Sequence, residues 1–202
     1  RKINELGIDN VELIQMDILE VGLLKERFDI IESSGVLHHM NDPSQGLKAL
    51  VDVLNNNGFL KLGLYSELAR QDIIKTKEYI IRNNIKSNLN DIRKFREEII
   101  SGKYPEIQSI IRWPDFYSTS EFRDLCFHAK EHRLTINQIE EILDSHKLKF
   151  QGFSLPETIK SLYKKSFPND QTQTNLQNWS IFEEKYPQTF SSMYQFWVTR
   201  TT

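Results

Sequence analysis

FDIIESSGVLHHMNDPSQGLKALVDVLNNNGFLKLGLYS, residues 28–66, decides how this chain folds. It opens with FDIIES, residues 28–33, whose adjacent Ile30 and Ile31 suit a strand buried on both faces. Asn41-Asp42-Pro43 then starts a helix. Asp42 is the capping residue, Pro43 fits the first helical position, and Gln45 stands at capping-box spacing. Leu47, Leu50, Val51 and Leu54 recur at i, i+3, i+4 and i+7, which is one apolar helix face. Asn55-Asn56-Asn57-Gly58 ends the helix, with Gly58 free to take a positive φ. FLKLGLY, residues 59–65, is a second strand.

Working towards the N-terminus, VELIQMD at 11–17 reads as an earlier strand, followed by a helical turn within 20–27. Strand, helix and strand in alternation imply parallel pairing through right-handed crossovers, hence an α/β fold. Ligands of such sheets bind at the carboxyl ends of the strands. Those ends are Asp17, Ser33-Ser34-Gly35 and Tyr65-Ser66, and all are expected on one edge.

Towards the C-terminus the pattern becomes helical. Apolar residues fall at helical spacing in 66–83 and 89–100, and Ser101-Gly102 closes the second helix. An aromatic-rich loop at 104–117 follows. Ser118-x-x-Glu121 opens a helix running towards His128, and Thr135-x-x-Gln138 opens another over 136–146. KLKFQGFSL, 147–155, reads as a strand. Residues 156–192 are mixed, with a helix candidate at 176–185, and MYQFWVTR, 193–200, is a closing strand. There is no internal repeat.

Composition removes several classes. The 202 residues carry 26 Lys+Arg against 28 Asp+Glu, which argues against a nucleic-acid partner held by a broad basic field. Apolar residues make up 39%, enough for a sizeable core. No apolar run approaches the ~18 residues of a membrane span. The single Cys126 excludes an internal disulfide framework and a cysteine-rich zinc site, so a reducing, cytoplasmic setting is the simplest reading.

The 28–66 block resembles class I S-adenosylmethionine-dependent methyltransferases. The resemblance rests on Phe28-Asp29, Gly35-Val36-Leu37-His38-His39, Asp42-Pro43 and Gly58-Phe59 and on the spacing between them. It implies a Rossmann-like sheet whose last strand, 193–200, is antiparallel and inserted beside its predecessor. It also implies S-adenosyl-L-methionine as cofactor, with Asp17 and Ile18 meeting the adenine and Ser34, Gly35, Val36, Leu37 and His38 lining the cofactor. STSEFRDLCFHAKEHRLT, 118–135, and FSSMYQFWV, 190–198, look like a bacterial subgroup sometimes fused to tetratricopeptide repeats, which are absent from these residues.

Two of that family's features have no counterpart. No glycine-rich turn precedes Asp17, and no acidic strand end is present for the ribose hydroxyls. The sequence therefore reads as N-terminally truncated: a partial cofactor core at 1–65, a helical insertion over the substrate side at 66–135, and the C-terminal part of the core at 136–202. On that reading the fragment binds cofactor poorly and is inactive by itself.

Catalytic candidates are His39 and His128, since imidazole titrates near neutral pH and accepts a proton from a nucleophile. For His38 and His39 the competing reading is shaping of the pocket. Tyr65, Tyr117, His132 and Arg133 are candidates for the substrate side. Among the aromatics of 104–117, packing of the insertion competes with a substrate lid. His128-x-x-Glu131-His132 matches an inverted zinc-protease pattern, but a third ligand has no obvious source, and no metal is expected. The expected activity is methyl transfer to an unidentified acceptor, a small molecule or a protein. The alternatives are a non-catalytic methyltransferase-like binding or assembly module and, last, a nicotinamide-dependent oxidoreductase.

Overall fold

The computed structural model describes residues 5–127 and 131–201. Its sheet runs in the order β1 (Phe28–Ser34), β2 (Leu54–Ser66), β5 (Tyr194–Arg200), β4 (Leu148–Phe153), and the short β3 (Arg133–Leu134) pairs with the end of β2. β1 and β2 are parallel and joined by helix α1 (Pro43–Val53), the crossover the apolar periodicity predicts. β5 runs antiparallel to both neighbours, with Leu62 opposite Phe196 and Phe150 opposite Val198. The sheet is thus mixed, as expected for a Rossmann-like methyltransferase fold.

Of the predicted apolar face, Leu47, Leu50 and Val51 lie on α1, whereas Leu54 opens β2; all four join Leu60, Leu62, Phe196 and Val198 in the main core. Helices α5 (Ile136–Ser145), α6 (Glu157–Ser166) and α7 (Leu176–Lys185) supply Ile139, Leu143, Tyr163, Trp179 and Phe182 to the same core. Helices α2 (Gln71–Arg82), α3 (Leu89–Ile100) and α4 (Thr119–Phe127) bury a second cluster of their own, including Ile73, Ile92, Phe95 and Phe122.

Four expectations need correction. Residues 11–17 form no strand: Val11, Leu13 and Ile14 are 49%, 77% and 51% exposed. An extended segment needs a ladder partner, and no described residue pairs with the outer edge of β1. Asp17 is consequently not a strand end; its Oδ1 accepts from the Leu19 amide (2.9 Å) and caps the 3-10 segment Ile18–Leu24. Gly58 does not terminate α1 with a positive φ. It lies inside β2, where a Cβ would come 2.9 Å from the Asp29 carbonyl oxygen, so its smallness serves a close strand approach. The loop at 104–117 is ordered into two 3-10 segments, Pro105–Arg112 and Pro114–Tyr117. Residues 156–192 contain α6 besides the α7 that periodicity shows.

Candidate functional site

Parallel pairing of β1 and β2, with Ser34 opposite Gly63, brings their carboxyl ends to one edge of the sheet. Gly63 makes that approach possible, since a Cβ there would lie 2.9 Å from the Ser34 Cα. The chain leaves β1 through Gly35, at φ 78°, where a left-handed backbone favours glycine. It then enters a 3-10 turn, Leu37–His39. β2 ends at Tyr65.

Tyr65 is the hub. The His38 ring centroid lies 3.9 Å from its own and that of His39 lies 6.3 Å away, while the Arg70 guanidinium carbon sits 3.7 Å over the ring. β3 extends this edge by pairing Arg133 with Tyr65, and the His132 amide donates to the His38 carbonyl (2.8 Å). Two hollows open here, of about 490 and 390 Å³, and Tyr65, Arg70 and Asp115 line both. The larger adds Trp113, Pro114, Met193 and Ser192; the smaller adds His39, Glu121, Asp124 and Glu131. Asp115, Glu121 and Asp124 make no ion pair with a described residue, so the smaller hollow is acidic at its rim.

Arg70 and Glu131 are both buried, with side chains 4% and 3% exposed. Arg70 Nε donates to Glu131 Oε1 at 3.0 Å, Arg70 Nη2 reaches Oε2 at 3.4 Å, and Lys77 Nζ reaches Oε2 at 2.9 Å. Burial pushes the Glu131 carboxyl up, but Arg70 and Lys77 outweigh it and hold the group below the usual carboxylate range. Tyr65 is shifted up, chiefly by burial, with Arg70 opposing and Glu131 and Asp115 adding to the rise.

His38 is 1% exposed, and neither of its ring nitrogens makes a hydrogen bond. Burial is the main reason its pKa falls to about 4, and the neighbouring His39 lowers it further. Glu131 opposes this, Arg70 adds to it, and the Gly63 carbonyl pulls upward least of all without meeting hydrogen-bond geometry. His38 is therefore a neutral imidazole at pH 7.

Of the residues singled out by sequence, His38, His39, Tyr65, His132 and Arg133 come together at this edge. Arg133 is held by Glu67 (3.0 Å). Tyr117 is 65% exposed and meets Phe116 edge-on. Asp17 and Ile18 stand on the 3-10 segment packed on α1, with Ile18 against the main core. Val36 is exposed and Leu37 is buried in the core, so within this pair only Val36 faces outward. His128 lies outside the described residues. Glu131, the central residue of the zinc-like pattern, already has both oxygens engaged by cations. Arg70 carried no local sequence signal, because its partner is 61 residues away.

A family profile described as "Methyltransferase domain" matches residues 1–62. An uncharacterised protein of Synechococcus sp. is 28% identical over 153 residues, covering 72% of this chain and 37% of its own length. The structure of PKMT2 from Rickettsia typhi in complex with AdoHcy superposes with a TM-score of 0.69 at 17% identity, covering all of this chain and 41% of that one. A second structure of PKMT2 from the same organism gives 0.68 at 15% identity over 98% of this chain and 40% of that one. Residues 1–62 thus match a methyltransferase-domain family, and the described residues share the fold of the PKMT2 structures. S-adenosylmethionine is the cofactor of that family. The chain spans about two fifths of the length of these relatives.

The described residues fit one wall of such a cofactor site. No atom lies within 4 Å of where a Gly35 Cβ would stand, so the backbone there opens onto free space. Asp17 Oδ2 makes no bond to a described residue and is available as an acceptor.

Proposed function

We propose that this protein transfers a methyl group from S-adenosylmethionine to an acceptor seated in the hollows around Tyr65. The observation that carries the reading is the meeting of the open Gly35 turn, the His38–His39 pair and Tyr65 at one sheet edge, directly against two hollows. When bound, S-adenosylmethionine supplies an electrophilic methyl group on a sulfonium. On this reading Asp17 and Ile18 contact its adenine, and the backbone from Ser34 to Val36 borders it.

The chain's own contribution is alignment and exclusion of water, which suffice for displacement at a methyl carbon when the acceptor is already nucleophilic. The Tyr65 ring, fixed by His38 and Arg70, separates the cofactor turn from the acceptor hollows. An acceptor that loses a proton needs a base. His39 lines the smaller hollow and is one nominee, and His128 is the other. His38, neutral and enclosed, packs rather than reacts. The acceptor is a small molecule or a protein side chain. The lone Cys126 is buried, and burial pushes its thiol far up, which suits a reducing, cytoplasmic setting and a structural role. No helix among the described residues is long and apolar enough to cross a membrane.

The test is to incubate full-length protein with methyl-labelled S-adenosylmethionine and fractionated cell extract. Label is expected in a discrete acceptor, with loss of transfer in Tyr65→Ala. Calorimetric silence towards both S-adenosylmethionine and its demethylated product would instead support the non-catalytic module.

A further inference from the structure

Arg70 and Glu131 belong to neither the cofactor wall nor the candidate bases, yet they form the most enclosed ion pair among the described residues. A buried ion pair is a poor device for stability alone, because desolvation offsets its Coulombic gain. This pair also has a directional geometry. Glu131 takes the Nε and Nη2 side of the guanidinium, which fixes its plane, and Lys77 holds the second carboxylate oxygen. The fixed guanidinium lies 3.7 Å over the Tyr65 ring and 5.5 Å from that of Trp113. Tyr65 lines both hollows and Trp113 lines the larger. The Tyr65 hydroxyl makes no hydrogen bond to any described residue and so remains available to a ligand.

We infer that Glu131 and Arg70 are positioning residues: together they hold Tyr65 as the fixed partition between the cofactor turn and the acceptor, with its hydroxyl presented to the acceptor side. This rests on the methyl-transfer reading for its catalytic consequence but not for its geometry. Arginine is required rather than any cation, since only a planar fork both chelates a carboxylate and stacks on a ring. The two residues enter the fold from opposite ends of the inserted helices, Arg70 before α2 and Glu131 after α4. The pair therefore makes Tyr65 geometry depend on how the insertion is seated.

The experiment uses full-length protein with ring-labelled tyrosine, Tyr65 being assigned through Tyr65→Phe. Glu131→Gln and Arg70→Lys are compared with wild type by tyrosine NMR, by calorimetry with S-adenosylhomocysteine, and by steady-state transfer to the acceptor found above. Both variants are expected to displace the Tyr65 ring signals and to lower kcat/KM about 10- to 100-fold, the scale of a misplaced reacting group. S-adenosylhomocysteine affinity is expected to change less than about twofold, since neither side chain hydrogen-bonds or ion-pairs with the Gly35 turn. Unmoved Tyr65 signals would overturn the inference, as would a loss of rate that merely follows the folded fraction or the product affinity. If Glu131→Gln does not fold, Arg70→Lys, which keeps the charge, decides alone. If wild type methylates nothing, the functional proposal falls, and the Tyr65 signals still decide whether the pair holds the ring.

Discussion

His38 couples the site to pH through its burial. With a folded pKa of about 4 against an ordinary 6.5, the unfolded chain takes up a proton that the folded chain refuses. Stability is therefore undiminished above the unfolded value and falls as pH drops from 6.5 towards 4, by roughly 3 kcal/mol in total. Urea unfolding of wild type and His38→Gln at about pH 7 and pH 4.5 checks this. The variant is expected to lose most of that acid-dependent share, and an identical pH slope in both proteins would refute it. The same burial explains why His38 packs against Tyr65, and why the more accessible His39 is nominated as a base rather than His38.

Among the elements, α5 shows how local chemistry places a helix. Thr135 Oγ1 accepts from the Gln138 amide and Gln138 Oε1 accepts from the Thr135 amide, a reciprocal capping box. The helix then lays Ile136, Ile139 and Leu143 on the core. Thr135→Ala is expected to cost about 1 kcal/mol, read as a lowered urea midpoint with unchanged slope. A midpoint within error of wild type would show that packing alone starts this helix. At the start of α1 the cap differs from the expected box: Asp42 Oδ1 takes the Ser44 amide, and Gln45 bonds the other Asp42 oxygen rather than the backbone. The capping residue and the helix start are unaffected, because one side-chain acceptor already satisfies an amide of the first turn.

On the scale of the molecule, the proposed function gives the 202 residues one wall of a cofactor site beside the two hollows around Tyr65. Asp17 and the Gly35 turn are present, but no glycine-rich turn precedes them in these residues. The 202-residue chain alone is accordingly expected to bind S-adenosylmethionine weakly, with a dissociation constant above roughly 100 μM by calorimetry. Low-micromolar binding would mean that the described wall suffices. The outer edge of β1 has no partner among the described residues, and Ile30 beside it is 64% exposed.

Periodicity and capping chemistry made much of the architecture legible. Leu47, Leu50 and Val51 announce the buried face of α1, and Ser101-Gly102 stops α3 with Gly102 at φ 79°. The Ser34-Gly35 turn and Tyr65 mark the strand ends that meet at the site. These signals are local, so neighbours in sequence suffice to express them. Residues 11–17 misled because a short apolar run specifies a strand only when another strand lies alongside. Gly58 and Gly63 are small for contacts with Asp29 and Ser34, which no neighbour in sequence reveals. Arg70 and Glu131 became partners only when the chain folded back on itself across 61 residues. Composition and pattern thus determined the crossover, its core face and the edge where the parallel strands end. Only tertiary packing decided which charged groups face one another at that edge, because ion pairs and ring stacks form between elements and leave no period in the chain.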